Sequence, residues 1–366
     1  MKEAEGSEVS QVQRAERPRR RGKWWILLVA ILLAVASIWA VATFWFGQQG
    51  VGEQLRAIAG ESGLYKEEAL GPGWYVKLAE KYKLPVLKRP VVFGLAKATD
   101  EDMAVVGRAH TLRVLWLRNS EISDAGMAHL EGLTRLRELD LTNVTVGDAG
   151  LAHLSELTDL RTLSLSGTKV SDAGLAHLKG LTKLEDLNLT ATKIGDAGLA
   201  HLSELTELMK LRLYRTKVTD EGMAHLKGLT KMQGLFLEHT KIGDAGLAHL
   251  SELTELKELY LGGTKVSDEG LVHLKKLKNL RGVALDETQV TDEGLAHLSG
   301  FGNLYYLNLG KTQVTDAGLV HLKSLKGLRS LGLLGTGVTP DGIADLWSAI
   351  PDVAVTADRK PARFLR

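Results

Sequence analysis

Leucines in most of this chain follow a pattern that repeats every 24 residues. In the unit that begins at Leu160, Leu163 and Leu165 alternate with polar residues, as expected of a short strand with one buried face. Leucines then recur every three residues from Leu175 to Leu181, which places them on one side of a short helix. Because neither apolar face is covered within one unit, the pattern predicts stacked strand–helix units that share an elongated core.

The array has regular units in its middle and degenerate units at its ends. Val91 and Phe93 fall in the register of the later strand leucines, and Pro90 beside them predicts a first strand with a free edge. Residues 350–355 predict a closing strand. The regular units begin at Leu112, Leu136, Leu160, Leu184, Leu208, Met232, Leu256, Leu280, Leu304 and Leu328.

One segment departs from this pattern. Residues 24–46 contain no charge, and as a helix they would extend about 34 Å, enough to cross a hydrocarbon core of about 30 Å. Tryptophans stand at both of its ends, and the charged residues from Arg14 to Lys23 are basic except Glu16. The positive-inside rule then predicts a single-pass membrane anchor with a cytoplasmic N-terminus and extracytoplasmic repeats.

A cleaved signal peptide is the alternative interpretation of residues 24–46. The triplets Ala34-Val35-Ala36 and Ala40-Val41-Ala42 both fit a small-residue cleavage site. The apolar run is longer than the roughly 7 to 15 residues of a signal core and continues past both triplets, which favours a retained anchor.

The predicted organisation follows these boundaries. In chain order it comprises a basic cytoplasmic tail (residues 1–23), a transmembrane helix (24–46), a juxtamembrane spacer (47–86) with a helix near 74–82, a degenerate N-terminal cap repeat (87–111), regular repeats (112–339), a C-terminal cap (340–356) and a polar tail (357–366).

The repeat unit resembles that of the leucine-rich repeat family. Over about 88–356 it follows Leu-x-x-Leu-x-Leu-x-x-Thr-x-Val/Ile-x-Asp-x-Gly-Leu-x-His-Leu, and its Thr-Asp-x-Gly-Leu turn is closest to the ribonuclease-inhibitor-like and F-box-associated class. The resemblance implies an α/β horseshoe solenoid with a parallel concave sheet, short convex helices and a binding surface whose partner is open. Thr168 and its equivalents stand where the family often has asparagine or cysteine, and their hydroxyls can bond the backbone of adjacent turns.

Composition and motifs argue against several classes of function. The formal net charge of +2 gives no indication of nucleic-acid binding. The absence of cysteine excludes disulfide caps and thiol chemistry, and it fits a bacterial envelope better than an animal extracellular space. No Gly-x-Ser-x-Gly elbow, P-loop or His-Glu-x-x-His motif occurs. We therefore expect a non-enzymatic protein without a cofactor or a metal.

Histidines and aspartates also recur at fixed positions of the repeat, and each of these two columns could be interpreted as a metal-binding or catalytic site. Nine histidines, from His129 to His321, stand 24 residues apart. We expect them on the helix flanks in inter-repeat hydrogen bonds, because neighbouring helices lie about 8–10 Å apart whereas zinc ligands converge within about 2.1 Å. A shared pH response of these histidines stays open. Aspartates from Asp124 to Asp316 precede the helices and are predicted to cap them.

The residues that vary within this fixed frame predict the binding surface. The outward position between the two strand leucines carries Arg212, Phe236 and Tyr260 on three successive strands, about 4.8 Å apart. Arginine and aromatic residues are typical of binding hot spots, although a solvent face under no selection also carries scattered aromatics. The concave-face candidates are Trp116, Arg212, Tyr214, Arg215, Phe236, Glu238, His239, Tyr260 and Tyr306.

Functions from different classes fit these observations. The first is a membrane-anchored protein that binds a protein or a peptidoglycan-like envelope ligand on its concave face. The alternative is a structural spacer or a self-associating envelope component, which the near-identical repeats suggest. A hydrolase or metalloenzyme is a third class, and only the histidine column motivates it.

Overall fold

The computed structural model describes residues 50–58, 64–69 and 88–358. The predicted cytoplasmic tail, the predicted transmembrane helix, the helix near 74–82 and the residues from 359 onward lie outside these ranges. No helix among the described residues combines the length and the apolar character needed to cross a membrane.

A single sheet runs through the described repeats, with its strands in chain order. β1 pairs with β2 antiparallel, and each later pair of neighbours is parallel. The strands are β1 (Leu64–Ala69), β2 (Lys88–Gly94), β3 (Val114–Trp116), β4 (Glu138–Asp140), β5 (Thr162–Ser164), β6 (Asp186–Asn188), β7 (Lys210–Arg212), β8 (Gly234–Phe236), β9 (Glu258–Tyr260), β10 (Gly282–Ala284), β11 (Tyr306–Asn308), β12 (Ser330–Gly332) and β13 (Ala354–Thr356).

The predicted leucine pattern is confirmed in these strands. Parallel pairing aligns residues that are 24 positions apart, so Leu211 of β7 lies opposite Leu187 and Leu235. These central leucines are fully buried, while the first and last residues of the strands face outward. The 24-residue period of the sequence is therefore the register of the sheet.

Short helices connect the strands. They are α1 (Asp100–Val106), α2 (Asp124–Met127), α3 (Asp148–Ala152), α4 (Asp172–Leu175), α5 (Asp196–Ala200), α6 (Asp220–Met223), α7 (Asp244–Ala248), α8 (Asp268–Leu271), α9 (Asp292–Leu295), α10 (Asp316–Leu322) and α11 (Pro340–Ala349). Single 3-10 turns continue several of them, as at Ala176–Leu178 after α4. Leu175, Leu178 and Leu181 are all fully buried, so the predicted apolar helix face packs into the shared core.

The expected free edge at Pro90 is wrong. β1 covers β2, Glu67 lies opposite Pro90, and the register shifts between Lys66 and Glu67. Proline lacks a backbone N–H, so an irregularity in the pairing is a position that accommodates it. Helical residues 50–58 contribute Val51 and Leu55 to the common core, so the cap also draws on residues that precede the repeats.

The threonine column stabilises its own turns. The Thr168 hydroxyl donates to the Leu165 carbonyl at 2.7 Å, and Thr192 and Thr216 make the same bond three residues back. These side chains are buried, so each bond satisfies a carbonyl that water does not reach. The hydroxyls thus bond within their own turn, in place of the expected bonds to adjacent turns.

The aspartate column joins neighbouring repeats, so the prediction that these residues cap their own helices is wrong. The residue before each aspartate is the N-cap, and the aspartate is the first helical residue. The Asp172 carboxylate accepts the backbone N–H of Gly195, the N-cap of the next helix, at 2.6 Å. Asp196 accepts both the N–H and the hydroxyl of Thr219 at 2.8 Å. The same N–H bond recurs from Asp100 to Asp316.

The glycine two positions after each aspartate is a consequence of this bond. A Cβ at Gly198 would lie 2.5 Å from Asp172 Oδ1 and 3.0 Å from Ile194 Cγ2. The third helical residue therefore has to leave room for the carboxylate of the preceding repeat. The aspartate and the glycine of Asp-x-Gly, which recur in each regular unit, thus depend on each other across neighbouring repeats.

Gly198→Ala is expected to lower the free energy of unfolding by about 1 to 3 kcal/mol, because the new methyl group displaces the Asp172 carboxylate. Gly228→Ala is the matched control, since a Cβ there meets nothing within 4 Å. The control should be neutral or slightly stabilising through its effect on the unfolded chain. Urea denaturation of both full-length variants measures this, and equal stability of the two would contradict the assigned role of Asp-x-Gly.

Candidate functional site

The concave face is the side of the sheet formed by the outward first and last residues of the strands. Five of the nine candidate residues occupy these positions on β7 to β9 or lie two residues beyond a strand end, namely Arg212, Tyr214, Phe236, Glu238 and Tyr260. Because the strands are only three residues long, each repeat presents few side chains on this face. The surface is therefore determined by what successive repeats place side by side.

Four candidates form a continuous aromatic row across β7 to β11. The Arg212 guanidinium carbon lies 5.3 Å from the centroid of the Phe236 ring, and the Phe236 and Tyr260 centroids are 5.0 Å apart in an edge-to-face arrangement. The Tyr260 and Tyr306 centroids are 6.0 Å apart. Arg212 also donates to Asp186 Oδ1 at 2.5 Å, which fixes the guanidinium at the end of the row.

A notch opens beside the Tyr260 and Tyr306 rings. The strand between them, β10, carries Gly282, so no side chain fills the space beside the two rings. The notch, formed by Glu258, Tyr260, Gly282 and Tyr306, belongs to a groove of about 750 Å³. Further residues on the rim of this groove are Arg281, Gly302, Asn303, Tyr305 and Gly327.

Three further candidates form a turn cluster just beyond the strand ends. The Tyr214 and His239 ring centroids are 5.3 Å apart, and the Arg215 guanidinium carbon lies 5.0 Å from the Tyr214 centroid. Arg215 and His239 have φ angles of 56° and 54°, in the left-handed region. Glycine occupies the equivalent position at Gly167 and Gly263, where this conformation carries no Cβ penalty.

Because Ala191, Glu287 and Lys311 share this left-handed conformation, the backbone strain alone does not distinguish the turn cluster. The feature particular to the cluster is that two strained positions hold large side chains in mutual ring and guanidinium contact with Tyr214.

Glu238 lies between the aromatic row and the turn cluster. Its Oε2 atom is buried and has no hydrogen-bond partner among the described residues. Burial raises the pKa of this carboxyl, and Asp286 raises it further, while its own backbone N–H and His239 lower it. A buried carboxylate oxygen without a partner carries an unfavourable desolvation free energy. The position of Glu238 therefore lowers the free energy of unfolding.

The two phenols of the notch lie in a negative electrostatic field. Burial raises the pKa of Tyr260, and Glu258, Tyr306 and Glu238 raise it further. Burial likewise raises the pKa of Tyr306, with further increases from Asp286 and Glu238 and an opposing hydrogen bond with Asn308. Both phenols are therefore neutral near pH 7, and the ionised groups that act on them are carboxylates.

Trp116 lies apart from the other candidates. It ends β3, four strands before Arg212 on β7, which corresponds to about 19 Å across the sheet. Its Nε1 atom donates to Glu138 Oε1 at 2.5 Å. The structure does not bring Trp116 into the aromatic row or the turn cluster.

The predicted candidates do not include Glu258, Gly282 or Asp286. Most of the candidates come from the position between the two strand leucines, whereas Glu258, Gly282 and Tyr306 occupy the other outward position, at the start of their strands. The sequence signal for the notch was a glycine, Gly282, at this strand position, with Glu258 24 residues before it and Tyr306 24 residues after it. Tyr305, beside the candidate Tyr306, is 59% exposed and also borders the groove.

The histidine column does not form a site among the described residues. The side chains alternate between exposed positions, such as His177, and partly buried ones, such as His201. His153 bonds Glu131 of the preceding repeat at 2.6 Å, and the other eight make no side-chain hydrogen bond within the described structure. In the described ranges, no three His, Asp or Glu side chains converge on a point where a metal could bind.

The comparisons with known proteins agree with this architecture. Residues 120–294 match the family model described as a leucine-rich repeat region. An internalin from Listeria monocytogenes is 21% identical with a TM-score of 0.52, over 74% of this chain and 87% of the internalin. A TDR receptor is 17% identical with a TM-score of 0.52, over 69% of this chain and 44% of the receptor. At these identities the likeness concerns the fold, and a search of curated protein sequences finds no match.

The family match covers residues 120–294, and the structure shows how the array continues beyond both ends of that range. The register of parallel strands that passes through residues 120–294 continues from β2 to β13 without interruption. Residues 120–294 of this chain are therefore a leucine-rich repeat region, and the 24-residue units on either side extend the same solenoid.

Proposed function

We propose that this protein binds a protein or cell-envelope ligand on its concave face, through the aromatic row and the turn cluster, and that it has no catalytic role. The leucine-rich repeat fold is typical of protein–protein interaction modules. The observation that carries the proposal is the series of guanidinium and ring contacts from Arg212 through Phe236 and Tyr260 to Tyr306, which extends from β7 across β10 to β11. Arginine and aromatic side chains of this kind supply most of the binding free energy in interfaces.

The row is arranged in advance for binding. Arg212 is fixed by Asp186 and by the Phe236 ring, and Phe236 packs edge-to-face on Tyr260. A ligand that docks on this surface would order few additional side chains, which lowers the entropic cost of association. The neighbouring Glu238 retains an unsatisfied buried oxygen, and functional sites are where such a cost to stability is expected.

The proposal includes a membrane anchor. The uncharged run of residues 24–46 and the basic residues that precede it support a single-pass anchor with the repeats on the extracytoplasmic side. In this proposal the protein presents its concave face to a ligand of the bacterial envelope while the cytoplasmic tail remains inside.

The joint replacement of Arg212, Phe236 and Tyr260 by alanine should reduce ligand capture at least a hundredfold, because all three side chains contribute to one contact surface. The full-length protein would be immobilised and incubated with envelope extract of the source cells, and bound proteins would be quantified by mass spectrometry. The matched control replaces Arg135, Glu204 and Lys227, which are exposed outside the concave face.

Capture that survives the triple replacement would contradict the proposed surface. A second outcome would support the structural alternative, in which the protein associates with copies of itself. If the captured protein is the same chain, and if sedimentation shows concentration-dependent self-association that the control retains and the triple variant loses, the concave face mediates assembly and the ligand proposal fails.

Glu238→Gln is expected to stabilise the fold near neutral pH while weakening ligand binding. The raised pKa of Glu238 means that ionisation disfavours the folded state, so stability falls as pH rises from the unfolded-state value through the folded-state pKa. The gain from the neutral amide should be modest, about 0.5 kcal/mol, because the side chain is only partly buried. Denaturation at pH 4 and pH 7 checks this: the two proteins should differ more at pH 7.

Replacement of Leu33 and Val35 by arginine should release the protein from the membrane fraction. Each charge at the centre of a spanning helix costs about 2.5–3.5 kcal/mol of insertion free energy. Alkaline carbonate extraction compares this variant with the alanine variant at the same positions, which should stay in the pellet. Equal extraction of both would contradict anchoring by residues 24–46.

A further inference from the structure

We propose that the notch accepts a cationic side chain, a lysine or an arginine, that projects from a peptide segment of the ligand. This inference rests on the proposed function and specifies the chemistry of one part of its surface. The notch combines two aromatic rings, a carboxylate at its side and a glycine at its base. This is the combination that recognises an ammonium or guanidinium group with an aliphatic stem.

Three carboxylates near the notch, those of Glu238, Glu258 and Asp286, form no ion pair within the described residues. No hydrogen bond or ion pair within the described residues reaches the Glu258 carboxylate. Glu238 has its buried oxygen unpaired, and Asp286 accepts a hydrogen bond from the neutral Asn308 amide at 2.9 Å. Burial is the main cause of the raised pKa values of Tyr260 and Tyr306, and these carboxylates raise them further. A cation that enters the notch would therefore gain favourable interactions with charges already in place.

The cations of the neighbourhood are engaged elsewhere or lie at the rim. Arg212 is bonded to Asp186, and Lys311 is paired with Glu287 at 2.6 Å. Arg281 borders the groove, is exposed, and forms no ion pair with the notch carboxylates within the described residues. We therefore infer that the cation that pairs with the notch carboxylates belongs to the ligand.

The aromatic walls suit the same ligand. The Tyr260 and Tyr306 rings are inclined by 42° with centroids 6.0 Å apart, which leaves no room for a group between their faces. A cation at the open side of this wedge lies within about 6 Å of both rings, the range of cation–π attraction. The methylene stem of lysine or arginine would pack on the same ring surfaces.

Gly282 keeps the notch open. A Cβ at this position would make ordinary contacts of 3.6 Å with Tyr260 Cε1 and 3.9 Å with Glu258 Cγ. A single methyl group therefore fits, and a longer side chain would occupy the space assigned to the ligand. Gly282→Leu is thus a variant that blocks the notch and leaves the aromatic and acidic residues in place.

The test uses four peptides of sequence acetyl-Gly-Gly-X-Gly-Gly-amide with lysine, arginine, norleucine or glutamate at X. Saturation transfer from the full-length protein to the X side chain is measured by NMR up to about 10 mM peptide. Norleucine keeps the aliphatic stem of lysine without its charge, so it separates cation recognition from apolar contact. We expect the lysine and arginine peptides to bind at least tenfold more tightly than the other two.

The variants locate the binding. Gly282→Leu and Glu258→Gln should each reduce lysine-peptide affinity at least fivefold. Thr162→Leu, which changes the same strand position on β5, should leave it unchanged. Equal binding of lysine and norleucine, preferential binding of glutamate, absence of binding by any peptide, or lysine binding that Gly282→Leu leaves intact would each overturn the inference.

The inference and the proposed function can fail separately. If ligand capture depends on Arg212, Phe236 and Tyr260 while the lysine peptide does not bind, the concave face binds a ligand of different chemistry. If the lysine peptide binds in the notch while capture survives the triple replacement, the cation site exists and the proposed function is wrong.

Discussion

The hydrogen bond that the backbone N–H of each helix N-cap donates to an aspartate carboxylate of the preceding repeat is the interaction on which the rest of the structure depends. Each repeat is too small to bury its own apolar faces, so its strand and helix have to keep a constant position relative to the neighbouring repeat. The sheet hydrogen bonds fix this position on one side, and the Asp172–Gly195 bond and its equivalents fix it on the other. The glycine at Gly198 is required because that carboxylate occupies the space of its Cβ.

This constant geometry frees the outward strand residues from any role in the core. Leu211, Leu235 and Leu259 carry the packing, so Arg212, Phe236 and Tyr260 vary at little cost to the fold. Side chains 24 residues apart become direct neighbours, which turns a sequence spacing into an extended surface. In this surface, a strand that lacks a side chain, such as β10 at Gly282, produces a notch between its neighbours.

Much of the fold was predictable because it repeats. The 24-residue spacing predicted the strand register and the buried leucines, since every unit supplies the same evidence again, and the resemblance to leucine-rich repeats implied the parallel sheet. The aspartate bond was misassigned, because a carboxylate at the start of a helix looks the same in sequence whether it bonds its own helix or the next. The pairing of β1 with β2 was not predicted, because β1 consists of residues that do not follow the repeat. The aromatic row was found from one outward position, and Glu258 and Gly282 were missed because they occupy the other.

The central claim is that the ligand docks on the aromatic row and not elsewhere on the solenoid. Site-specific photocrosslinking from a benzoyl-phenylalanine at residue 236 tests it most directly, with the same crosslinker at residue 116 as the comparison. Both residues end a strand on the same face, and they are five strands apart. The account predicts that the captured ligand crosslinks to residue 236 and not to residue 116. Efficient crosslinking at 116 without crosslinking at 236 would contradict it.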